Sequence, residues 1–228
     1  MNYLVVPYRN RADDLAVFLK DMPPMLDEVL GAGLWKIVIA EQHEGRLFNR
    51  GLMCNIGFLE TCDVSGNFIF SDVDVIPTHP ESKARYAESC ADKIVGIYNS
   101  IHDTLGGVVK LRGDWFQKAN GFPNTYWGWG VEDKALQNRI ELHGFPVHKR
   151  FLNTPDGKAY FHIRGEHAER PQDSTFSERT TYCYNRFRTL PHDEKVRSVM
   201  SDGLSTILYS VVERLELAPH VVKIKANV

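Results

Sequence analysis

Residues 68–74 read FIFSDVD and complete the pattern that decides the fold. Residues 68–70 form the third short apolar run of the chain, after residues 3–6 and 36–40, and each run has the length of a buried strand. A helical pattern lies between each pair of runs. In the first, apolar residues recur at i, i+3, i+4 and i+7 from Leu15, and in the second Asn49 is a suitable N-cap. Strand, helix, strand, helix, strand predicts a parallel α/β sheet with crossover connections.

The rest of the chain adds further elements. Residues 94–98 and 107–111 are predicted strands, and residues 133–143 form a predicted helix that Gly144 ends. Residues 207–212 and 221–228 alternate as strands do. Two interruptions are also predicted: Pro23 and Pro24 end or kink the first helix, and the polar residues 152–188 form the longest irregular stretch. Because no repeat or linker divides the chain, we expect one domain over residues 1–228.

Composition limits the classes of partner. The chain has 228 residues, 43% of them hydrophobic, and a net charge of −2, which suits a packed globular domain and gives no reason to expect nucleic acid. No apolar run approaches the ~20 residues that span a bilayer, and residues 1–10 do not resemble a signal peptide. We therefore expect a soluble, cytoplasmic protein without a transmembrane segment, unless a targeting segment has been removed. Its four cysteines are expected to be free and mostly buried.

Two aspartates follow the third strand directly. Asp72 and Asp74 are expected at the carboxyl edge of the sheet, where open α/β sheets bind ligands. Two carboxylates one residue apart can hold one Mg²⁺ or Mn²⁺ ion, and diphosphate oxygens can complete its coordination. His162 follows an apolar pair and is a candidate further ligand, which would favour Mn²⁺. The alternatives are that the Asp-x-Asp triplet is an ordinary turn or cap and that the histidine is simply solvated.

Two other segments offer aromatic rings next to arginines. Residues 7–11, PYRNR, follow the first strand, and residues 48–50, FNR, begin the second helix. Such segments provide a ring face for a base and cationic donors for ribose and phosphate. Each alone is more often an ordinary polar loop, but both are expected at the edge of the sheet that carries the aspartates.

Residues 120–133, NGFPNTYWGWGVED, combine glycines, a proline and aromatic residues, so they cannot form a regular helix or strand. The stretch ends on Glu132 and Asp133, which begin a helical pattern whose dipole favours the ionised carboxylate. An aromatic platform beside a carboxylate can hold a sugar and take a proton from its hydroxyl. The alternative is a turn that packs in the core and carries an N-terminal helix acid.

Six segments together resemble the β-1,4-galactosyltransferase family: VPYRNR (6–11), FNRGLMCNIGF (48–58), FSDVD (70–74), GGV (106–108), NGFPNTYWGWGVED (120–133) and SDGL (201–204). They occur in the family's order, at about its spacing, over nearly the whole chain. The resemblance implies a GT-A fold, a Rossmann-like α/β architecture with a mixed, mostly parallel sheet flanked by helices. Residues 1–110 would bind the nucleotide sugar, and residues 111–228 would bind the acceptor and carry the catalytic base. It also implies Mn²⁺ as cofactor and inverting transfer from UDP-galactose.

The resemblance assigns roles by position. The donor site would comprise Pro7, Tyr8, Arg9, Arg11, Phe48, Arg50, Asp72, Val73 and Gly107. Asp74 would be a metal ligand, and His162 and His167 are the further candidates. Trp129 would close over the donor, Asp133 would be the catalytic base, and Glu132 would contact the acceptor or the donor sugar. Residues 163–188 would form a lid that orders once metal and donor are bound.

Several positions depart from the family pattern. Lys134 stands where the family commonly has a second Asp that grips the acceptor, which leaves the acceptor open. Thr104 stands where galactose-specific members carry Tyr, so UDP-GalNAc is an alternative donor. The spacing from His162 to His167 is longer than the family's. The family's membrane anchor and disulfide cysteines have no counterparts, which fits a cytosolic microbial or viral member.

These observations predict a Mn²⁺-dependent inverting glycosyltransferase, with Mg²⁺ as the alternative metal, that moves galactose or GalNAc from UDP to a saccharide or glycoconjugate hydroxyl. A role in polysaccharide or glycoconjugate synthesis would follow. The rival hypotheses are a non-catalytic module of the same fold that binds sugar or nucleotide, and a retaining GT-A transferase that needs no base at Asp133.

Overall fold

The computed structural model describes residues 1–43, 45–99, 104–149, 151–152, 160–164 and 170–228. The strands are β1 (Asn2–Tyr8), β2 (Trp35–Gln42), β3 (Asn67–Ser71), β4 (Val75–Pro77), β5 (Ile94–Tyr98), β6 (Val108–Arg112), β7 (Val147–His148), β8 (Phe161–Ile163), β9 (Ser210–Ala218) and β10 (Val221–Asn227). The helices are α1 (Ala12–Leu30), α2 (Arg50–Leu59), α3 (Pro80–Ala87), α4 (Gly113–Lys118), α5 (Glu132–Leu142), α6 (Phe176–Thr181), α7 (Phe187–Thr189) and α8 (His192–Met200). A π-helical turn, Tyr182–Arg186, joins α6 to α7.

Eight strands form one mixed sheet in the order β7-β5-β6-β3-β1-β2-β10-β9. The central strands β3, β1, β2 and β10 run parallel, while β6 and β9 are antiparallel to their neighbours β3 and β10. β4 and β8 form a separate antiparallel pair. This arrangement confirms the predicted mixed, mostly parallel α/β sheet, and it brings the ends of β1 and β3 to one edge.

The core lies on both faces of this sheet. On one face, Phe18, Met22 and Leu26 of α1 pack with odd-numbered apolar side chains of β2 such as Ile37 and Ile39. On the other face, α2 and α5 pack with the aromatic side chains Phe68 and Phe70 of β3. Side chains of a strand alternate between faces, so each central strand buries both of its faces, as its near-continuous apolar sequence predicts.

Pro23 and Pro24 were predicted to end or kink the first helix; the first alternative is wrong, because α1 continues to Leu30. Each proline lacks the N–H of a helical hydrogen bond, which ordinarily costs about 3 kcal/mol. Beyond the prolines, Met25 and Leu26 are buried against the sheet. Their packing offsets the lost hydrogen bonds, and the helix is retained.

Other boundaries also differ from the prediction. Residues 152–188 are not uniformly irregular, since β8, α6 and the π-helical turn fall among them. The penultimate strand spans Ser210–Ala218 and starts later than predicted. Cys54, Cys90 and Cys183 are buried and Cys62 is exposed, and all four are free, as expected. Within the described ranges, no helix has the length and apolar character needed to cross a membrane.

Candidate active site

A cavity of about 1110 Å³ opens at the sheet edge where β1 and β3 end. Most of the predicted site residues line it: Pro7, Arg9, Arg11, Phe48, Arg50, Asp72, Val73, Asp74, Gly107, Trp129, Glu132 and Asp133. Residues 7–11 and 72–74 lie at the edge of the sheet, and Glu132 and Asp133 lie at the start of α5. Segments more than 100 residues apart in the chain therefore meet in one cavity, while the individual roles stay predictions.

Tyr8 and His162 are not among the lining residues, and His167 lies outside the described part of the chain. Tyr8 is buried in the core, and its hydroxyl accepts a hydrogen bond of 3.3 Å from the backbone N–H of Arg11. Through this hydrogen bond Tyr8 supports the loop that carries Arg11. The Tyr8 ring is not part of the cavity lining.

Arg50 connects the two carboxylate pairs of the cavity. Its Nε donates to Oδ1 of Asp72 at 2.6 Å, and its Nη1 lies 3.8 Å from Oε1 of Glu132. Its Nη2 donates to the carbonyl oxygen of Gly107 at 3.3 Å. Burial opposes the charge of the guanidinium, but Asp72 and Glu132 outweigh it and raise the pKa of Arg50. Nη1 is buried and makes no hydrogen bond to the described residues, so its contact with Glu132 is an ion pair without a hydrogen bond.

Asp74 is the more enclosed of the two strand-end aspartates. Burial and the nearby charge of Asp72 raise its pKa, while Arg11 opposes this rise through an ion pair of 2.8 Å. Arg11 also pairs with Asp14 of α1 at 2.8 Å, which fixes the guanidinium beside Asp74. A partly desolvated carboxylate at the cavity wall is suited to a cation, because its negative charge is poorly compensated by water.

The structure leaves the histidine ligands of the metal site as predictions. His162 lies on β8 opposite Ile76, its side chain is exposed, and the next residue, Ile163, lines the cavity. Since neighbouring side chains on a strand point to opposite faces, His162 points away from the cavity in this structure. Among the described residues, no three His, Cys, Asp or Glu side chains form a metal cluster.

Glu132 and Asp133 begin α5 after a backbone in unusual conformations. Gly128 and Gly130 have positive φ, and Val131 has a φ of 65° at the N-cap. Burial, and next the charge of Asp133, raise the pKa of Glu132 to about 7, against the opposing effect of Arg50. Glu132 can therefore keep a proton near neutral pH. Asp133 presents its Oδ2 toward Gly106, where a Cβ atom would lie only 2.5 Å from that oxygen.

Trp129 lies at the mouth of the cavity with 40% of its surface exposed. Its backbone N–H donates to the carbonyl oxygen of Pro171 at 2.8 Å, and its ring stacks on Phe176 with a centroid distance of 6.1 Å. The guanidinium of Arg170 is 5.4 Å from the Trp129 ring. The Trp129 loop therefore rests on residues 170–176, which belong to the predicted lid.

Several cavity residues belong to the predicted lid segment, although none of them was predicted individually as a site residue. Arg170, Pro171, Phe176, Thr180 and Tyr184 all line the cavity on the side of Asp133. Tyr184 lies within the π-helical turn, a feature that is common at functional sites and that has no recognisable sequence signature.

Lys134 is fully buried, and its Nζ lies 5.1 Å from the centroid of the Tyr184 ring. It does not belong to the cavity lining, whereas Tyr184 does. Thr104 does line the cavity, and Asn99 holds it there by donating from Nδ2 to the Thr104 Oγ1 at 2.8 Å. The two residues that depart from the family pattern thus lie at or directly behind the cavity wall.

Two family models match the chain. One, the N-terminal region of glycosyl transferase group 7, matches residues 2–87, and the other, the N-terminal domain of galactosyltransferase, matches residues 89–166. A solved structure of Drosophila β-1,4-galactosyltransferase 7, a mutant in complex with manganese, UDP-Gal and xylobiose, superposes with a TM-score of 0.75 at 24% identity. That likeness covers 100% of this chain and 93% of the solved one, and it supports the GT-A fold.

The family assignment rests on sequence identity to known relatives. β-1,4-Galactosyltransferase 1 of Bos taurus is 33% identical over 222 residues, and β-1,4-galactosyltransferase 2 of Cricetulus griseus is 34% identical over 220 residues. Each match covers 92% of this chain and 50% or 55% of the relative, so the chain spans about half the length of those proteins. These matches extend over the sheet edge, the Asp72–Asp74 turn and the start of α5, and the chain belongs to the β-1,4-galactosyltransferase family.

Proposed function

We propose that the protein transfers galactose or GalNAc from a UDP-sugar to a hydroxyl of a saccharide, with inversion at the anomeric carbon and with Mn²⁺ as cofactor. One observation carries the proposal: the strand-end pair Asp72 and Asp74 and the helix-start pair Glu132 and Asp133 line the same cavity and are connected by Arg50. This arrangement provides oxygen ligands for a cation on one side and a carboxylate base on the other.

The strand-end aspartates fit a hard divalent cation, because they provide carboxylate oxygens at the cavity wall and Asp74 is partly desolvated. Asp74 would hold the ion, and His162 and His167 remain the proposed further ligands. When bound, the ion neutralises charge on the diphosphate leaving group.

Nucleotide recognition rests on the first half of the chain. Pro7 and Phe48 give apolar surface at the cavity wall, and Arg9 lies 5.5 Å from the Phe48 ring. Arg50 adds a positive charge at the cavity wall, which would attract a phosphate group. The small side chain of Thr104 leaves room that a tyrosine would fill, which supports GalNAc as an alternative to galactose.

The acceptor is activated on the other side of the cavity. Asp133 is the proposed base that takes the acceptor hydroxyl proton as the new bond forms. Trp129 and residues 170–176 would exclude water from the activated sugar when they close over it. The Tyr184 ring, with Lys134 behind it, would offer a stacking face to the acceptor sugar in place of the family's second aspartate.

Titration calorimetry with UDP in the presence and absence of Mn²⁺, followed by UDP release with a panel of saccharide acceptors, tests the proposal. A screen of UDP-Gal, UDP-GalNAc, UDP-Glc and UDP-GlcNAc identifies the donor. Asp133→Asn should abolish turnover and leave UDP binding intact. Turnover retained in Asp133→Asn would instead favour a retaining mechanism, and metal-dependent UDP binding without turnover on any acceptor would favour a binding module.

Tyr184→Ala tests the acceptor assignment. Loss of the stacking face should raise the KM for the acceptor, with little change in the KM for the donor. Tyr182→Phe is a matched control on the same π-helical turn, because Tyr182 does not belong to the cavity lining. An unchanged acceptor KM in Tyr184→Ala would show that the acceptor lies elsewhere.

A further inference from the structure

β9 forms one edge of the large sheet, and it is exposed along its entire length. It pairs with β10 on one side, and no other strand in the described ranges pairs with it. All nine of its residues are exposed. Five exposed large apolar residues fall within ten positions of the chain: Leu208, Val211, Val212, Leu215 and Leu217. A long exposed edge strand with this composition is a template for pairing with another strand.

β9 lacks two of the features that usually protect an edge strand, since its sequence, SVVERLELA, contains no proline and no lysine. Its pairing with β10 has a register shift at each end, one between the pairs Lys225–Glu213 and Ala226–Val211 and one between Val222–Glu216 and Val221–Ala218. Residues 213–216 between the two shifts are in regular register. These four residues present a continuous row of backbone donors and acceptors at the edge.

We propose that β9 pairs antiparallel with β9 of a second copy of this chain, about a two-fold axis that passes through Leu215. In this register Arg214 of each copy lies opposite Glu216 of the other, and Leu215 lies opposite itself. Opposite charges that face each other across two strands stabilise the pair, and like charges destabilise it. An axis at Leu215 therefore creates two such ion pairs and one apolar contact.

The neighbouring registers are less favourable. Moving the axis to Arg214 places two arginines opposite each other, and moving it to Glu213 or Glu216 does the same for two glutamates. A two-fold axis that passed between two residues would set side chains from opposite faces of the sheet against each other. Residues that face each other across two strands must lie on the same face, so such registers are excluded. Arg214 also forms an ion pair with Glu60 of its own chain, and this contact holds the Arg214 side chain on the face of the sheet that packs against α2. Glu216 lies two positions further along β9 and therefore shares that face.

The proposed dimer leaves the cavity open, because no residue of β9 lines it. A single pair of edge strands buries less surface than the roughly 1,200–2,000 Å² of a standard stable interface. We therefore expect a reversible dimer that forms in the micromolar range and exchanges with monomer on dilution.

Sedimentation velocity from about 1 to 500 µM tests the assembly, and the wild-type chain should shift from monomer to dimer over this range. Leu215→Lys places two ammonium groups opposite each other and should keep the protein monomeric throughout. Leu34→Lys is the matched control at an exposed leucine in a turn far along the chain, and it should dimerise like wild type. UDP binding of all three proteins should be equal, which confirms folding.

Cysteine crosslinking tests the register. In a Cys62→Ser background, which removes the exposed native thiol, Leu215→Cys should form an intermolecular disulfide under mild oxidation, because facing side chains are within reach of a bond. Arg214→Cys should crosslink far less. A wild-type monomer at 500 µM, dimerisation that Leu215→Lys does not reduce, or stronger crosslinking at position 214 than at 215 would each overturn the proposal.

Discussion

Gly106 is the residue whose replacement most directly tests the proposed position of the base. A Cβ atom at Gly106 would lie 2.5 Å from Oδ2 of Asp133, whereas ordinary contact begins at about 3.4 Å. In Gly106→Ala the carboxylate must therefore withdraw by about 1 Å. A misplacement of that size can cost roughly 100-fold in rate, or about 2.7 kcal/mol of transition-state stabilisation. We expect kcat to fall by that order while UDP affinity stays near that of wild type.

The decisive assay is a double-mutant cycle of UDP release with Gly106→Ala and Asp133→Asn. If the alanine acts through the base, it should reduce turnover strongly in the wild-type background and hardly at all once Asp133 is replaced. Urea unfolding of Gly106→Ala excludes a general loss of structure. Turnover within threefold of wild type, or an equal loss in both backgrounds, would refute the placement of Asp133 beside Gly106.

Three further outcomes are expected. Burial raises the pKa of Glu132 from 4.5 to about 7. Its contribution to the free energy of unfolding is therefore fully present below pH 4.5 and is lost as the pH rises through 7. Glu132→Gln should remove up to about 3 kcal/mol of this pH dependence, measured by urea titrations at several pH values. Arg50→Met leaves the half-buried carboxyl groups of Asp72 and Glu132 without their cation and should cost about 2 kcal/mol, measured by urea unfolding, with Arg50→Lys less affected. Gly57→Ala places a Cβ 2.4 Å from Cγ1 of Val5 and should cost roughly 1–3 kcal/mol in thermal unfolding, and less in a Val5→Ala background.

The sequence predicts the elements around the proposed donor side of the cavity, because their positions follow from local pattern and strand direction. The first three strands and the Asn49 cap, whose side chain accepts from the backbone N–H of Leu52 at 2.9 Å, are found where they are predicted. The carboxyl ends of parallel strands meet at one edge, so Arg11 and Asp74 had to lie close together once the strands were placed.

The acceptor side is harder to predict, because its geometry depends on contacts between distant segments. Phe176 and Tyr184 reach the cavity from a segment whose sequence is mostly polar and gives no helical pattern. Its helical turns depend on contacts with α5, such as the hydrogen bond from Asn138 to the carbonyl oxygen of Cys183. Contacts between distant segments also explain the continuation of α1 through Pro23 and Pro24, because packing of the helix against the sheet outweighs the hydrogen bonds that the prolines cannot make. The role of His162 stays a prediction, because a shift of one position along β8 changes the face on which a side chain lies and no local pattern decides that position.

The electrostatics of the cavity give the two adjacent carboxyl groups at the start of α5 different roles. Glu132 is half-buried beside Arg50, and its raised pKa lets it hold a proton near neutral pH, so it does not add a full negative charge next to Asp72 and Asp133. Asp133 lies toward the cavity at Gly106 and is the proposed base. Neighbouring carboxyls whose environments differ in this way divide acid and base functions between them.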